Sequence, residues 1–221
     1  MNFIVPQRLQ SKDLLLQRRK RALKIIKVLR KATKDLGQPM SNAIRDEFNN
    51  DPFLILISCL LSLRARDTVT YPISVELFKV AKTPQQFVDM PLKQLEKIIY
   101  SVGFYKNKAR SIKSVSKDII ERFGGNVPSN EKDLLSIKGI GRKTANLVLG
   151  IAFNIPAICV DTHVHKLSNK LGIVTTKTTE QTEFALQKVL PKKYWIEYNR
   201  LLVLCGQNMR FCSNALSPFL Q

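Results

Sequence analysis

Along this chain apolar residues return at intervals of three and four, with charged residues filling the gaps. Ala22, Ile25, Ile26 and Leu29 keep the i, i+3, i+4, i+7 spacing of one helix face, with lysines and arginines between them. The same period predicts helices over about 67–80, 91–101, 108–122, 142–153, 161–171, 179–190 and 193–205. Asp51-Pro52 pairs a capping carboxylate with proline at the first helical position, which predicts a helix start. The apolar run from Phe53 to Leu63 outlasts a buried strand and reads as a buried helix. Breakers separate these segments: Thr83-Pro84, Met90-Pro91, Gly103, Gly124-Gly125, Pro128, Ile155-Pro156, Gly172 and Pro191. Sustained strand-type alternation is absent, so the fold expected is all-α, with many short helices and short loops. No tandem repeat or low-complexity tract interrupts it.

One stretch, Leu134 to Leu149, carries chemistry. Gly139 and Gly141 sit between two apolar helical patterns, and Lys143 follows in the first turn of the second. Glycine at both positions permits turns closed to residues with a side chain, and close approach of a ligand to the backbone. The amides that open the next helix lack internal partners, and their dipole favours an anion such as a phosphate. Lys138, Gly139, Ile140, Gly141, Arg142 and Thr144 are therefore the expected phosphate contacts of a hairpin over 134–150. Asp161 comes eighteen residues after Lys143, in Val160-Asp161-Thr162-His163. An amine and a carboxylate beside a phosphate cradle can act on a sugar carbon.

Charge points the same way. There are 36 Lys and Arg against 17 Asp and Glu, a net +19, so a polyanion, nucleic acid before a membrane surface, is the expected partner. The longest apolar run, Phe53 to Leu63, is broken by Ser58 and Ser62 and falls short of the roughly 20 residues that span a bilayer. No secretory signal is evident at the N-terminus, and residues 1–17 read as a solvated basic extension. Of the four cysteines, Cys59, Cys159 and Cys205 lie inside apolar runs, which suits buried, reduced thiols in an intracellular protein.

Four motifs in order resemble the endonuclease III family of DNA glycosylases, within the helix-hairpin-helix glycosylase superfamily. Ile137-Lys138-Gly139-Ile140-Gly141-Arg142-Lys143-Thr144-Ala145-Asn146 is similar to the family's Leu-Pro-Gly-Val-Gly-Arg-Lys-Thr-Ala-Asn signature, with Lys138 where proline is usual. Val160-Asp161-Thr162-His163-Val164 resembles its Val-Asp-Thr-His stretch. Asp51-Pro52-Phe53 with Leu61-Ser62-Leu63-Arg64-Ala65-Arg66-Asp67 resembles its N-terminal helix motif. Gly103-Phe104-Tyr105-Lys106-Asn107-Lys108-Ala109 resembles its Gly-Leu-Tyr-x-x-Lys-Ala loop. The likeness runs from about residue 18 to about 208.

The resemblance implies two helical domains flanking a DNA-binding cleft. One is a six-helix barrel over about 45–155 that contains the hairpin; the other is discontinuous, 18–44 plus 156–221, and carries Asp161. It implies catalysis by Lys143 and Asp161, facing each other across the cleft. Neutral Lys143 would attack C1′ of a damaged nucleotide, form a Schiff base and cut the strand by β-elimination, with Asp161 stabilising the cationic sugar and assisting proton transfer. A lysine near its ordinary pKa of about 10.4 is charged at neutral pH, so desolvation and the helix N-terminus would have to favour the neutral amine. The base must first leave the stack. Arg64 stands where relatives place a residue that fills the resulting gap, and Phe104 where they place an apolar wedge. His163 is a further DNA-contact candidate, and a metal pair with His165 is not expected.

Many relatives end with four cysteines that hold a [4Fe–4S] cluster. Here six residues separate Cys205 from Cys212 and no cysteine follows, so no cluster, no other cofactor and no metal is expected. The expected partner is damaged double-stranded DNA, bound by a monomer, with no membrane. The expected place is the cytoplasm and nucleoid of a prokaryote, or else a nucleus or organelle. The function expected is base excision repair of oxidised pyrimidines by a bifunctional glycosylase and abasic-site lyase. The alternatives are a guanine-lesion or mismatch glycosylase of the same superfamily, or a non-catalytic helix-hairpin-helix DNA-binding protein.

Overall fold

The structure, a computed structural model, describes residues 7–220. Helix α1 (Gln7–Ala32) is followed by α2 (Met40–Glu47), α3 (Pro52–Ser62), α4 (Asp67–Val80), α5 (Pro84–Asp89), α6 (Leu92–Ile98), α7 (Tyr105–Phe123), α8 (Glu131–Ser136) and α9 (Arg142–Phe153). Then come α10 (Thr162–Lys170), α11 (Thr179–Val189), α12 (Trp195–Gln207) and α13 (Met209–Leu216), with 3₁₀ turns at 192–194 and 217–219. No strand occurs among the described residues. The chain divides into a central unit, Pro39–Ile155, and a discontinuous unit built from the chain before and after it.

In the central unit α3 is buried on every side from Phe53 to Leu61, and α2, α4, α7 and α9 pack around it. A helix apolar all round has to be surrounded in this way. Asp51 starts it as expected, its Oδ1 accepting from the Phe53 and Leu54 amides at 2.8 and 3.1 Å. Thr83-Pro84 both breaks the chain and opens α5. The Thr83 hydroxyl accepts from the Gln86 amide at 3.3 Å, and Gln86 Oε1 accepts from the Thr83 amide at 3.1 Å. The unit starts at Pro39, before the expected division at 44/45, because α2 contributes buried Met40, Asn42 and Ile44. The Thr70 hydroxyl donates to Met40 Sδ at 2.9 Å.

The discontinuous unit closes α1 against α11, α12 and α13. Its core joins Ala22, Ile25, Ile26 and Leu29 to Val164, Leu171, Tyr198, Leu201, Cys205, Cys212 and Leu216. The expected solvated extension over 1–17 is corrected here. From Gln7 onward it is the opening of α1, and Leu15 packs against the core; residues 1–6 lie outside the described residues.

Several arginines of α1 are tied to protein. Arg19 donates to the Val189 and Lys188 carbonyls at 3.0 and 3.2 Å, and Arg21 to those of Leu171 and Phe219 at 2.7 and 2.8 Å. Carbonyls at helix ends lack intrahelical donors, and these guanidinium groups supply them. Arg30 forms a two-pronged pair with Glu197, both distances 2.7 Å, which pulls the carboxyl below its usual range. No helix among the described residues is long and apolar enough to cross a membrane.

Candidate active site

The hairpin is α8, a turn over 137–141, and α9. Gly139 has φ 100°, and a Cβ there would lie 2.9 Å from Ser111 Oγ on α7, so both the backbone and the close approach of α7 require glycine. Gly141 differs from expectation: at φ −95° and ψ 172° it occupies a region open to any residue, and nothing lies within 4 Å of its Cβ position. It is the N-cap of α9, and no side chain caps that helix. The intrahelical ladder opens with the Ala145 amide donating to the Gly141 carbonyl at 2.9 Å, so the amides of Lys143 and Thr144 precede it.

The hairpin's side chains part company. Lys138 and Lys143 are exposed. The Ile140 and Thr144 side chains are buried, so at those two positions only the main chain is open to a ligand. Arg142 pairs with Glu131 of α8 at 3.0 Å, which braces the hairpin across its own turn. The charge of Lys143 reaches Cys59 on α3, whose thiol burial pushes up to about 12 with Lys143 offsetting part of the rise.

Arg64 and Phe104 flank α3 and α7. Arg64, exposed in the turn between α3 and α4, has φ 55°; Phe104, the residue before α7, has φ 61° and is 64% exposed. A core role for Phe104 is thereby excluded. Lys108, four residues on, was given no role by the sequence although it belongs to the same motif. It is buried, and its ammonium donates to the Leu61 carbonyl at 2.7 Å. Burial draws its pKa down to about 8.

Asp161 belongs to the discontinuous unit. It caps α10: its Oδ1 accepts from the Val164 amide at 2.8 Å, and its carbonyl from the His165 amide at 2.9 Å. His163 lies over Gly206 of α12, where a Cβ would sit 2.2 Å from the histidine Nδ1. A polar network forms instead around His165, whose Nδ1 meets the Thr182 hydroxyl at 2.7 Å, with Thr176 and Asn169 beyond.

All four cysteines are buried and none forms a disulfide. Cys205 and Cys212 interact with each other within the apolar core of the discontinuous unit, and burial raises the Cys205 thiol far above its usual range. Cys159 is a buried residue of the same unit, and Cys59 belongs to the central one. No three His, Cys, Asp or Glu side chains among the described residues are grouped to hold a metal. The donor set does not fit a four-thiolate cluster.

Known proteins share this arrangement. Residues 57–192 match the family described as HhH-GPD superfamily base excision DNA repair protein. The chain is 44% identical to endonuclease III of Thermotoga maritima over 165 residues, 75% of this chain and 78% of that protein. It is 36% identical to endonuclease III of Bacillus subtilis over 184 residues, 83% of each chain. Among solved structures, a trapped endonuclease III–DNA covalent intermediate, an estranged-adenine complex, matches with TM-score 0.78 and 31% identity, covering 86% of both chains. With a lysine opening α9 behind a glycine hairpin and an aspartate capping α10, the chain belongs to the endonuclease III family of base excision repair enzymes, DNA glycosylases and abasic-site lyases.

Proposed function

We propose that the chain removes oxidised pyrimidines from damaged double-stranded DNA as a monomer, and cleaves the resulting abasic strand through Lys143. The observation that carries this is Lys143 itself, exposed in the first turn of a helix whose N-terminus no side chain caps, directly after the Gly139 turn. Phosphates of the backbone are held by the α9 amides and by Lys138, and the hairpin dipole favours them. The Lys143 amine attacks C1′ as the glycosidic bond breaks and the base departs with its electron pair and a proton. A proton delivered to O4′ lets the nitrogen lone pair break the C1′–O4′ bond, which opens the sugar ring and leaves a protonated imine that acidifies C2′; removal of the C2′ proton expels the 3′ phosphate. Asp161 stabilises positive charge on the sugar and relays protons. Its capping bond occupies one oxygen, Oδ1, and serves to hold the carboxylate in place.

The reading includes no iron–sulfur cluster, since the four thiols are divided between two units and packed in apolar surroundings. Buried thiols also suit a reducing, intracellular compartment. Borohydride trapping on duplexes carrying an abasic site or thymine glycol tests the chemistry. The natural chain yields a covalent protein–DNA adduct and Lys143→Gln yields none; undiminished trapping by the variant removes Lys143 as the nucleophile.

A further inference from the structure

Among the described residues, five other than glycine have positive φ, and three of them, Asn49, Asn50 and Asn154, are asparagines, which enter that region readily. The other two are Arg64 and Phe104, whose larger side chains make the left-handed region sterically unfavourable and so need surroundings that enforce it. Both are exposed, so neither gains core packing in return.

Lys108 touches both turns. Its amide donates to the Phe104 carbonyl at 3.0 Å, which fixes the first turn of α7 directly behind Phe104. Its ammonium donates to the Leu61 carbonyl at 2.7 Å, in the last turn of α3, three residues ahead of Arg64. The neighbouring carbonyls at that helix end are served locally: Cys59 accepts from the Ser62 hydroxyl at 2.9 Å and Ser62 from the Ala65 amide at 3.1 Å. Burying an ammonium against a carbonyl, with burial as the cause of its lowered pKa and no carboxylate contributing, is unfavourable compared with an apolar side chain. A side chain needed for packing alone would not require the charge.

We propose that Lys108 is a positioning residue for DNA opening: it locks the turn bearing Arg64 to the turn bearing Phe104, so that both side chains enter the duplex as one rigid device. This rests on the reading above, in which a nucleotide leaves the stack before Lys143 reacts with it. Lys108 contributes nothing to the reaction at C1′; it acts through the two side chains that hold the duplex open.

Single-turnover trapping on one abasic-site oligonucleotide, presented as duplex and as single strand, tests this at saturating enzyme. Lys108→Met is expected to slow duplex trapping by about tenfold or more while the single-strand rate stays within about twofold. Lys108→Arg, which keeps a charged donor, restores most of the duplex rate. In a chain already carrying Arg64→Ala and Phe104→Ala, Lys108→Met adds less than about a further twofold loss. Equal losses on both substrates, with or without a lowered melting temperature, overturn the proposal in favour of a chemical or merely structural role, as does no loss at all. If the natural chain traps neither substrate, the lyase reading fails instead. 2-Aminopurine fluorescence on duplex binding then still reads out opening, and an unchanged signal with Lys108→Met overturns the positioning role.

Discussion

Gly206 marks how closely α10 and α12 approach within the discontinuous unit. A methyl group there would overlap the His163 side chain, 2.2 Å from Nδ1, 2.5 Å from Cγ and 2.8 Å from Cβ. Because the ring begins only two residues after Asp161, displacing it disturbs the capped turn that holds the carboxylate. Gly206→Ala is expected to cost about 1–3 kcal/mol in urea denaturation, the usual range for overpacking, and to slow strand cleavage. His163→Ala in the same chain should recover most of the stability; a Gly206→Ala chain as stable as the parent would show that the helices separate freely. The motif around Asp161 was legible in the sequence, and Gly206 was not, since it lies in a plain helical pattern and matters only through a neighbour remote in the chain. Of the two hairpin glycines the sequence singled out, only Gly139 is conformationally obliged, by its φ of 100°, while Ser111 on α7 separately crowds any Cβ there.

At the scale of elements, long amphipathic helices such as α4, α7 and α9 were readable from their period. Three of the helices of six to eight residues, α2, α5 and α13, show no such sustained period in the sequence. The partners of the basic residues of α1 are invisible in the sequence for a different reason: those of Arg21 lie 150 and 198 residues further along. That arginine also helps to hold the C-terminal segment in place. It bonds the Phe219 carbonyl and lies 6.0 Å from that ring's centre, while Leu216 and Cys212 fill the core. Protein purified in air and treated with chelator is therefore expected to contain no stoichiometric iron and to keep its tail resistant to limited proteolysis. Arg21→Met, which strands two carbonyls, loses that resistance and about 2 kcal/mol of stability. Iron at four atoms per chain would refute the arrangement outright.

Across the whole molecule, the discontinuous unit has 19 of the 36 basic residues but 6 of the 17 acidic ones, leaving the hairpin-bearing unit the less charged. Much of that surplus on α1 is spoken for by Arg19, Arg21 and Arg30. Net charge alone therefore located a polyanion partner without locating its contacts. Affinity for undamaged duplex, followed by fluorescence anisotropy at several salt concentrations, should fall with a log–log slope of about −0.9 for each phosphate neutralised. Lys138→Ala is expected to reduce that slope by roughly one contact. A slope identical to the parent's would take Lys138 off the phosphate backbone.

The discontinuous core has a last consequence, for synthesis. Ala22, Ile25, Ile26 and Leu29 are covered by residues from Ile158 to Leu216, which leave the ribosome long after them. At roughly 5–20 residues per second, the nascent α1 therefore waits on the order of ten seconds or more with its oily stripe bare. A chain stalled before α13 would present that stripe to chaperones and proteases, while the Pro39–Ile155 unit, its own core already complete, stood folded behind it.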